Sequence, residues 1–359
     1  MNSQLSRRDL ARAAGAAALA ASSTSALAAA RRWPVAEGPG TPKLCMISGS
    51  APNDRGLRRI KQLGVDHVIL GGPRIPWEEA QLRAIMDRHK AAGLTVLNMM
   101  VGGFNNAVYG RPGRDQDIEN VQKSIRAAGR AGLPVIEYNF YAHRATEGYF
   151  EEPGRGGAGM LSFDYQKIKD LPPLPEEGAH SLDEMWANVT YFLKAVVPVA
   201  KESNVRLALH PNDPPAPISR GSGQIMGSVD GWKRLVDIVP SPCNGITYDC
   251  GVTREMGHDP VEVCRYFGRK DCINHVHFRN VVMQIPREKY TEVFPDEGEV
   301  DMFAVMKELV RQKYPRLIYP EHPRGLDYDR EQANSGQYAG WVFNVAYARA
   351  MLQAALASA

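Results

Sequence analysis

The stretch LDEMWANVTYFLKAVVPVAKESNVRLALH, residues 182–210, joins a helical pattern directly to a short β-rich run. Apolar residues recur every three or four positions over 182–204, which is the period of a helix that covers a sheet. The run RLALH at 206–210 is short and mostly apolar, as in a buried strand. A helix that leads at once into such a strand is a repeating unit of parallel α/β folds.

The same alternation extends over the rest of the chain. Seven further strand-like runs lie at 43–48, 66–72, 95–100, 134–140, 244–250, 273–280 and 316–323, with amphipathic stretches such as 78–93, 117–132 and 302–313 between them. Eight strand and helix pairs are the count of a (β/α)8 TIM barrel. A Rossmann fold would need G-x-G-x-x-G after an early strand, and GGPRIP at 71–76 does not supply it. We therefore predict a single TIM-barrel domain over residues 31–359.

Two long segments interrupt this alternation, at 141–180 and at 281–300. Both are rich in Gly, Pro and charge, and they follow the predicted strands four and seven. In a barrel, connections after the strands overhang the active face. We expect the two segments to be lids or substrate walls.

The first 30 residues have the pattern of an export signal. They contain the pair Arg7 and Arg8, an Ala-rich stretch and a small-residue ALA pattern that ends at Ala28. Together these features indicate a twin-arginine signal peptide over residues 1–30. We expect a periplasmic protein, and because no later stretch approaches ~20 consecutive apolar residues, we expect no membrane association after signal cleavage.

Composition and charge indicate the kind of partner. The net charge is only +3 and basic residues are scattered, so neither nucleic acid nor an anionic membrane is the expected partner. A small polar ligand is expected instead, and homo-oligomer formation stays open. The five cysteines are odd in number and lack paired short spacings, which argues against a disulfide framework.

Chemically active side chains stand at the ends of the predicted strands four to eight. They are Glu137, His210, Asp249 with Cys250, His275 with His277, and Glu321 with His322. Because catalytic groups of a barrel gather where its strands end, this series outlines a metal site. Imidazole, thiolate and carboxylate ligands together suit Mn, Fe, Co or Zn better than Mg or Ca.

The run INHVHFRN at 273–280 carries two of these histidines. Side chains alternate along a strand, so His275 and His277 share one face. We expect His277, nearer the strand end, to bind the metal and His275 to lie deeper as a structural residue. In LALHPNDPPAPI at 207–218, the strand ends at His210, and Asn212 and Asp213 can hydrogen-bond a polyol or orient the metal ligands.

Six stretches resemble the mannonate dehydratases, sugar-acid lyases of the xylose isomerase-like barrel superfamily. They are YNF at 138–140, VVPVAKESNVRLALHPNDPP at 196–215, SPCNGITYDCG at 241–251, HVHFRNV at 275–281, DEGEVDMFAVMKEL at 296–309 and QYAGWVFNVAYARAML at 337–352. The resemblance implies Mn²⁺ or Fe²⁺ bound by His210, Cys250, His277 and Glu321. It also implies dehydration of D-mannonate to 2-dehydro-3-deoxy-D-gluconate.

The resemblance further assigns roles around that metal. His322 and Tyr338 correspond to the acid/base candidates, and Arg279 to a clamp for the sugar-acid carboxylate, which a guanidinium suits. Glu137 and Arg144 join Asn212 and Asp213 as candidate substrate contacts.

The chain departs from the family pattern where strand eight ends. The family has Arg-Pro-Asp-His-Gly there, whereas this chain reads YPEHPRG at 319–325, so Glu321 replaces the aspartate and Tyr319 the arginine. Two alternatives to the dehydratase therefore stay open. One is a sugar isomerase, epimerase or keto-sugar lyase on the same barrel, and the other is a non-catalytic periplasmic sugar-binding protein.

Overall fold

The structure, a computed structural model, describes residues 33–332 and 336–359. Eight parallel strands close into a barrel in which each strand pairs with its neighbours in chain order and the last pairs with the first. The strands are β1 (Lys43–Ile47), β2 (His67–Gly71), β3 (Thr95–Val101), β4 (Val135–Tyr138), β5 (Arg206–Leu209), β6 (Asn244–Asp249), β7 (Ile273–His277) and β8 (Leu317–Tyr319). The predicted TIM barrel is confirmed. The predicted signal peptide, residues 1–30, lies outside the described residues.

Helices follow the strands and cover the barrel. They are α1 (Asp54–Gln62), α2 (Glu79–Ala91), α3 (Asn105–Tyr109), α4 (Arg114–Ala131), α5 (Leu182–Glu202), α6 (Val229–Ile238), α7 (Cys250–Glu255), α8 (Pro260–Arg269), α9 (Met302–Arg311), α10 (Asp327–Glu331) and α11 (Tyr338–Ser358). Helix α5 begins at a capping box, in which Ser181 and Glu184 each accept a hydrogen bond from the other's backbone N–H. None of the helices in the described residues is long and apolar enough to cross a bilayer.

The apolar core lies mainly between the barrel and its helices, where large side chains such as Trp232 and Phe267 are fully buried. The inside of the barrel is different, because it carries a polar layer below the mouth. Asn98, Glu137 and Thr247 come from three different strands and contact one another there, each at most 2% exposed. Buried polar groups need such partners, so this layer is built to hold particular side chains in place.

The two long segments after β4 and β7 combine into one structure, which we call the cap sheet. Its antiparallel strands lie in the order Asn280–Ile285, Lys289–Val293, Gly159–Asp164 and Tyr149–Pro153. Phe163 and Tyr290 pack together beneath it. The remaining short elements are the hairpin strands Ile218–Ser219 and Ser222–Gly223 and the 3₁₀ turns Thr146–Gly148, Arg155–Gly157 and Tyr165–Lys167.

Candidate active site

The last residue of β7, His277, is the centre of the site. Both His277 and His275 point into the barrel, as alternation predicted, and both are buried. Nδ1 of His277 lies 2.9 Å from Oε1 of Glu321 and 3.8 Å from Oδ2 of Asp249. Asp249 is the last residue of β6 and pairs in register with His277. His277, Asp249 and Glu321 place one ligand atom each within 4.8 Å of one another. Asp249 was recognised in the sequence at this strand end, but its neighbour Cys250 was predicted as the metal ligand.

His210, just after β5, meets the same cluster. Its Nε2 lies 3.3 Å from Nδ1 of His277, while its Nδ1 is 2.7 Å from the carbonyl oxygen of Pro211. Burial, together with the charge of His277, lowers the pKa of His210 to about 3. The ring is therefore neutral, with Nδ1–H donating to the carbonyl and the Nε2 lone pair directed at the cluster.

The ring of His277 is held between carboxylates. Burial disfavours its charged form, but Glu321 above all, and then Glu137 and Asp249, raise the pKa of His277 to about 9. A bound cation or a proton on the ring would satisfy the same anionic neighbours.

Cys250, the predicted thiolate ligand, is the first residue of α7 and is fully buried. Its Sγ lies 3.2 Å from the carbonyl oxygen of Arg279 and 3.5 Å from that of His277. Burial, followed by the charge of Asp249, raises the pKa of this thiol. The described residues contain three clusters in which possible metal-ligand atoms converge, and all three consist of imidazoles and carboxylates. Metal binding by Cys250 therefore stays a prediction.

Arg279 occupies a position that sequence reasoning did not foresee. Its side chain is 2% exposed and is surrounded by protein carboxylates, with Nη1 2.6 Å from Glu255 and Nε 3.1 Å from Asp249. Oxygens of Asp213 and Glu321 lie 3.3 Å from its Nη2 and Nε. These contacts use the guanidinium inside the protein, and Arg279 does not line the cavity. This position gives no support to the expected clamp for a substrate carboxylate, because the guanidinium of Arg279 already pairs with acidic residues of the protein.

His322 is the residue after Glu321 in the chain, and its side chain also lines the cavity. Its backbone is left-handed, with φ of 47°, which a non-glycine residue rarely adopts. Arg324 supports this conformation, because its guanidinium donates both to the His322 carbonyl and to Glu292 of the cap sheet. Nδ1 of His322 is 2.8 Å from the Glu292 carboxylate, which leaves Nε2 3.6 Å from Oε2 of Glu321. Burial opposes the charged form, but Glu292 and Glu321 raise the pKa of His322 to about 9.

Asp213 and Arg144 also line the cavity, and a carboxylate oxygen of Asp213 lies within 4.8 Å of a ring nitrogen of His322. The buried carboxylate of Asp213 accepts hydrogen bonds from the Tyr149 hydroxyl at 2.8 Å and from Nη2 of Arg144 at 3.2 Å. The side chain of Arg144 is 42% exposed and lines the cavity, so its guanidinium can also reach a ligand. Asn212 differs, because its amide is used within the loop: it donates to Gln224 and accepts from the backbone of Met226. The structure thus places Asn212 as a support of the loop and not at the cavity.

Tyr338, the second acid/base candidate, does not reach this cluster. It is the first residue of α11, and its hydroxyl lies 3.4 Å from the carbonyl oxygen of Arg59 on α1. The position of Tyr338 gives no support to the role that the resemblance assigned to it.

The cavity over the cluster has a volume of about 290 Å³, which lies at the lower end of the range for small-molecule binding sites. Its polar lining residues are Glu137, Asn139, Arg144, His210, Asp213, His277, Glu321 and His322, and its apolar and aromatic lining includes Ile47, Ile69, Met100 and Tyr319. Several larger surface depressions lie elsewhere, but they lack this concentration of titratable groups.

The donor set fits a divalent first-row ion. The separations of 2.9 and 3.3 Å among His277, Glu321 and His210 match the ligand edges of about 3.0 to 3.4 Å expected around an ion with bonds of about 2.1 Å. Oε1 of Glu321 is buried and has no hydrogen-bond partner of suitable geometry among the described residues. The surrounding buried carboxylates outnumber the buried guanidinium groups, so an added cation balances charge.

Two functional groups were missed because they come from the cap sheet. Glu292 positions His322, and Tyr149 holds Asp213. Neither residue lies at a barrel strand end, so strand periodicity carries no signal for them.

A barrel with imidazole and carboxylate donors converging at the carboxyl ends of its strands defines a metal-dependent enzyme for a small polar substrate. The sequence model of the D-mannonate dehydratase (UxuA) family matches residues 49–175 and 179–358. The chain belongs to this family, whose members are hydro-lyases.

Individual relatives agree with that assignment. A mannonate dehydratase of Streptococcus equi subsp. zooepidemicus is 28% identical over 301 residues, covering 75% of this chain and 82% of the relative. The crystal structure of mannonate dehydratase from Streptococcus suis serotype 2 superposes with a TM-score of 0.80 at 26% identity, covering 88% of this chain and 95% of that one. The D-psicose 3-epimerase of Clostridium cellulolyticum H10, at 12% identity and a TM-score of 0.56, shares the fold and covers 86% of this chain and 99% of its own.

Proposed function

We propose that this protein dehydrates a sugar acid at a divalent metal, with D-mannonate as the first candidate and 2-dehydro-3-deoxy-D-gluconate and water as products. The observation that carries the proposal is the convergence of His210, His277 and Glu321 at the cavity of a family member. The substrate named for the relatives is an acid, which agrees with the partly exposed guanidinium of Arg144, the one arginine that lines this cavity in the described part of the chain.

Mn²⁺ or Fe²⁺ is the proposed cofactor, held by His210, His277 and Glu321, with Asp249 or the predicted ligand Cys250 completing the set. Mixed imidazole and anionic donors favour such ions over Mg²⁺ or Ca²⁺. When bound, the ion acts as a Lewis acid that stabilises the negative charge developing after loss of the proton next to the substrate carboxylate.

Side chains of the protein are proposed to bind the substrate carboxylate and to transfer protons. Arg144 binds the substrate carboxylate, because its guanidinium lines the cavity while Arg279 is enclosed by protein carboxylates. His322 serves as base and acid in turn: in its neutral form its Nε2 takes the proton from C2 and then returns it to the hydroxyl that leaves C3 as water, since Glu292 anchors Nδ1 and leaves Nε2 on the side of Glu321. Asp213 keeps Arg144 in place through the hydrogen bond at 3.2 Å.

An isomerase or epimerase is the second candidate. The observation that favours it is the pair of buried glutamates beside His277, Glu321 at Nδ1 and Glu137 at Nε2. Both reactions begin with removal of a proton beside a carbonyl or carboxylate, so one site can serve either.

The experiment incubates the Mn²⁺-loaded protein with D-mannonate in D₂O and follows the sugar by NMR. The dehydratase gives the 2-dehydro-3-deoxy product, and Glu321→Gln should lower kcat/KM by ~100-fold or more because a ligand is weakened. Glu119→Gln, a solvent-exposed carboxylate on α4, serves as the matched control and should behave as wild type. Deuterium exchange without elimination would favour the isomerase. If none of a panel of aldonates and keto-sugars reacts or exchanges deuterium, both proposed reactions are overturned.

We also propose that the protein is exported to the periplasm by the twin-arginine route. The support is the sequence pattern of residues 1–30, with Arg7 and Arg8 ahead of the Ala-rich stretch.

A further inference from the structure

Glu137 is a buried carboxylate without a conventional counter-ion. It is 2% exposed, at the inner end of the cavity on β4. Among the residues that the structure describes, its ion-pair neighbours are imidazoles alone, His277 with Nε2 at 3.5 Å and His275 with Nε2 at 3.9 Å. A buried carboxylate is costly unless hydrogen bonds or nearby positive charge stabilise it, so a proton on the facing nitrogen of an imidazole would help to satisfy it.

The carboxylate is fixed by neutral donors on its other sides. Thr247 donates its hydroxyl to Oε1 at 2.7 Å, and Asn98 donates its amide to Oε2 at 3.0 Å. These two hydrogen bonds come from β3, the neighbour of β4, and from β6, the next strand but one on the other side, so they hold Glu137 from both sides. The position of the carboxylate is therefore determined before any ligand enters.

The neighbouring ring of His277 has its two nitrogens in different surroundings. Nδ1 faces Glu321 and His210, where the metal ligands converge. Nε2 is buried, lacks a hydrogen-bond partner of suitable geometry, and has the Glu137 carboxylate as its nearest ion-pair partner. A neutral imidazole that binds a cation through one nitrogen carries its proton on the other, and a carboxylate behind the ring selects that tautomer.

We propose that Glu137 is a positioning residue for the metal centre, which accepts the Nε2 proton of His277 and so directs the Nδ1 lone pair at the cation. This replaces the substrate contact expected from the sequence. The inference rests on the metal site of the proposed function but not on its substrate, because the metal affinity can be measured without any sugar.

The test compares Mn²⁺ affinity, by calorimetry on metal-free protein, between wild type and Glu137→Gln. The glutamine should fit, because the Oδ1 atom of Asn98 has no hydrogen-bond partner among the described residues and the amide can turn to accept from the new NH₂. Loss of the negative charge behind the ring should raise the Kd about 10- to 100-fold. Glu308→Gln is the matched control, because Glu308 is an equally buried carboxylate that pairs with Arg311 on α9, and its Kd should stay within about twofold.

A substrate contact would give the opposite pattern, with an unchanged Mn²⁺ Kd and a raised KM for the sugar acid, and that pattern overturns the proposal. A second measurement needs no variant. In Zn²⁺-loaded wild-type protein, ¹⁵N NMR of the histidines should show His277 with its proton on Nε2 and Nδ1 bound to the metal. A metal-bound Nε2 would overturn the proposal even if Glu137→Gln failed to fold. Failure of D-mannonate turnover with normal metal binding would reject the proposed substrate alone.

Discussion

At the scale of single residues, the two arginines that the sequence proposed as contacts to the substrate have different surroundings in the structure. Arg279 follows β7 and was expected to be the carboxylate clamp, but the carboxylates of five protein residues lie within 3.7 Å of its guanidinium. Arg144 comes from the first long segment and carries a single buried partner, Asp213, while part of its side chain faces the cavity. The exposure of the side chain therefore supports Arg144, and not Arg279, as the proposed contact to the substrate.

This difference predicts opposite phenotypes for the two substitutions. Arg144→Ala should raise the KM for a sugar acid about tenfold or more, because a charge-assisted contact to the substrate is lost, with stability close to wild type. Arg279→Met should instead lower the free energy of unfolding by about 3 to 5 kcal/mol, because buried carboxylates lose their common partner. Urea unfolding and steady-state kinetics measure both. Normal stability of Arg279→Met, or an unchanged KM for Arg144→Ala, would contradict the assignment.

At the scale of strands and helices, the repeating pattern predicted the barrel well. The eight predicted runs each coincide with a barrel strand, although β3 extends one residue beyond its run, and the alternation along 273–280 correctly placed His275 and His277 on one inner face. The run at 273–280 was too long, however, because β7 ends at His277 and Asn280 begins a cap strand. Antiparallel pairing of segments more than 100 residues apart leaves no local period in the sequence, so the contributions of Glu292 and Tyr149 could not be anticipated.

The amino ends of the strands show a second arrangement that can be tested. Asp271, just before β7, accepts a hydrogen bond at 2.6 Å from Arg206 at the start of β5 and another from Arg316 just before β8. Burial would raise the pKa of this carboxyl, but the hydrogen bonds and charges of the two arginines lower it. The ionised aspartate therefore contributes to folding at neutral pH.

We predict that Asp271→Asn lowers the free energy of unfolding by about 1 kcal/mol at pH 7, a value already reduced for solvent screening. Asparagine tolerates the left-handed backbone of this residue, with φ of 51°, so only the charge is tested. Because the folded-state pKa is lowered, the contribution is complete above the ordinary aspartate pKa of about 3.9 and is lost as pH falls through the lowered value. Urea titrations at several pH values should show wild type and variant converging in acid, whereas the exposed Asp170→Asn should match wild type throughout. A difference that stays constant with pH would contradict this explanation.

At the scale of the whole molecule, the thiols bear on the proposed export route. All five cysteines are free, and Cys45, Cys250, Cys264 and Cys272 are buried. The described fold therefore depends on no disulfide, and a protein that completes its folding in the reducing cytosol before export needs none.

The export proposal predicts a change of compartment when the arginine pair is replaced. Arg7→Lys together with Arg8→Lys should leave the protein in the cytosolic fraction, because the twin-arginine signal requires both residues. The matched control is Arg58→Lys with Arg59→Lys, a second adjacent pair on helix α1, which should not alter the location. Cell fractionation with immunoblotting measures both. A periplasmic wild type with an unaffected signal variant would exclude this route, and a cytosolic wild type would exclude export itself.

The cap sheet has a mechanical consequence for the entrance of the cavity. Its strands join the connection after β4 to the connection after β7 by backbone hydrogen bonds, and one of them carries the anchor of His322 while another carries the anchor of Asp213. Neither connection can swing outward alone without breaking that ladder. We therefore expect any opening movement on this side to displace His322, the proposed proton donor, together with Asp213, the support of Arg144, so that access to the cavity and alignment of a bound sugar acid would change together.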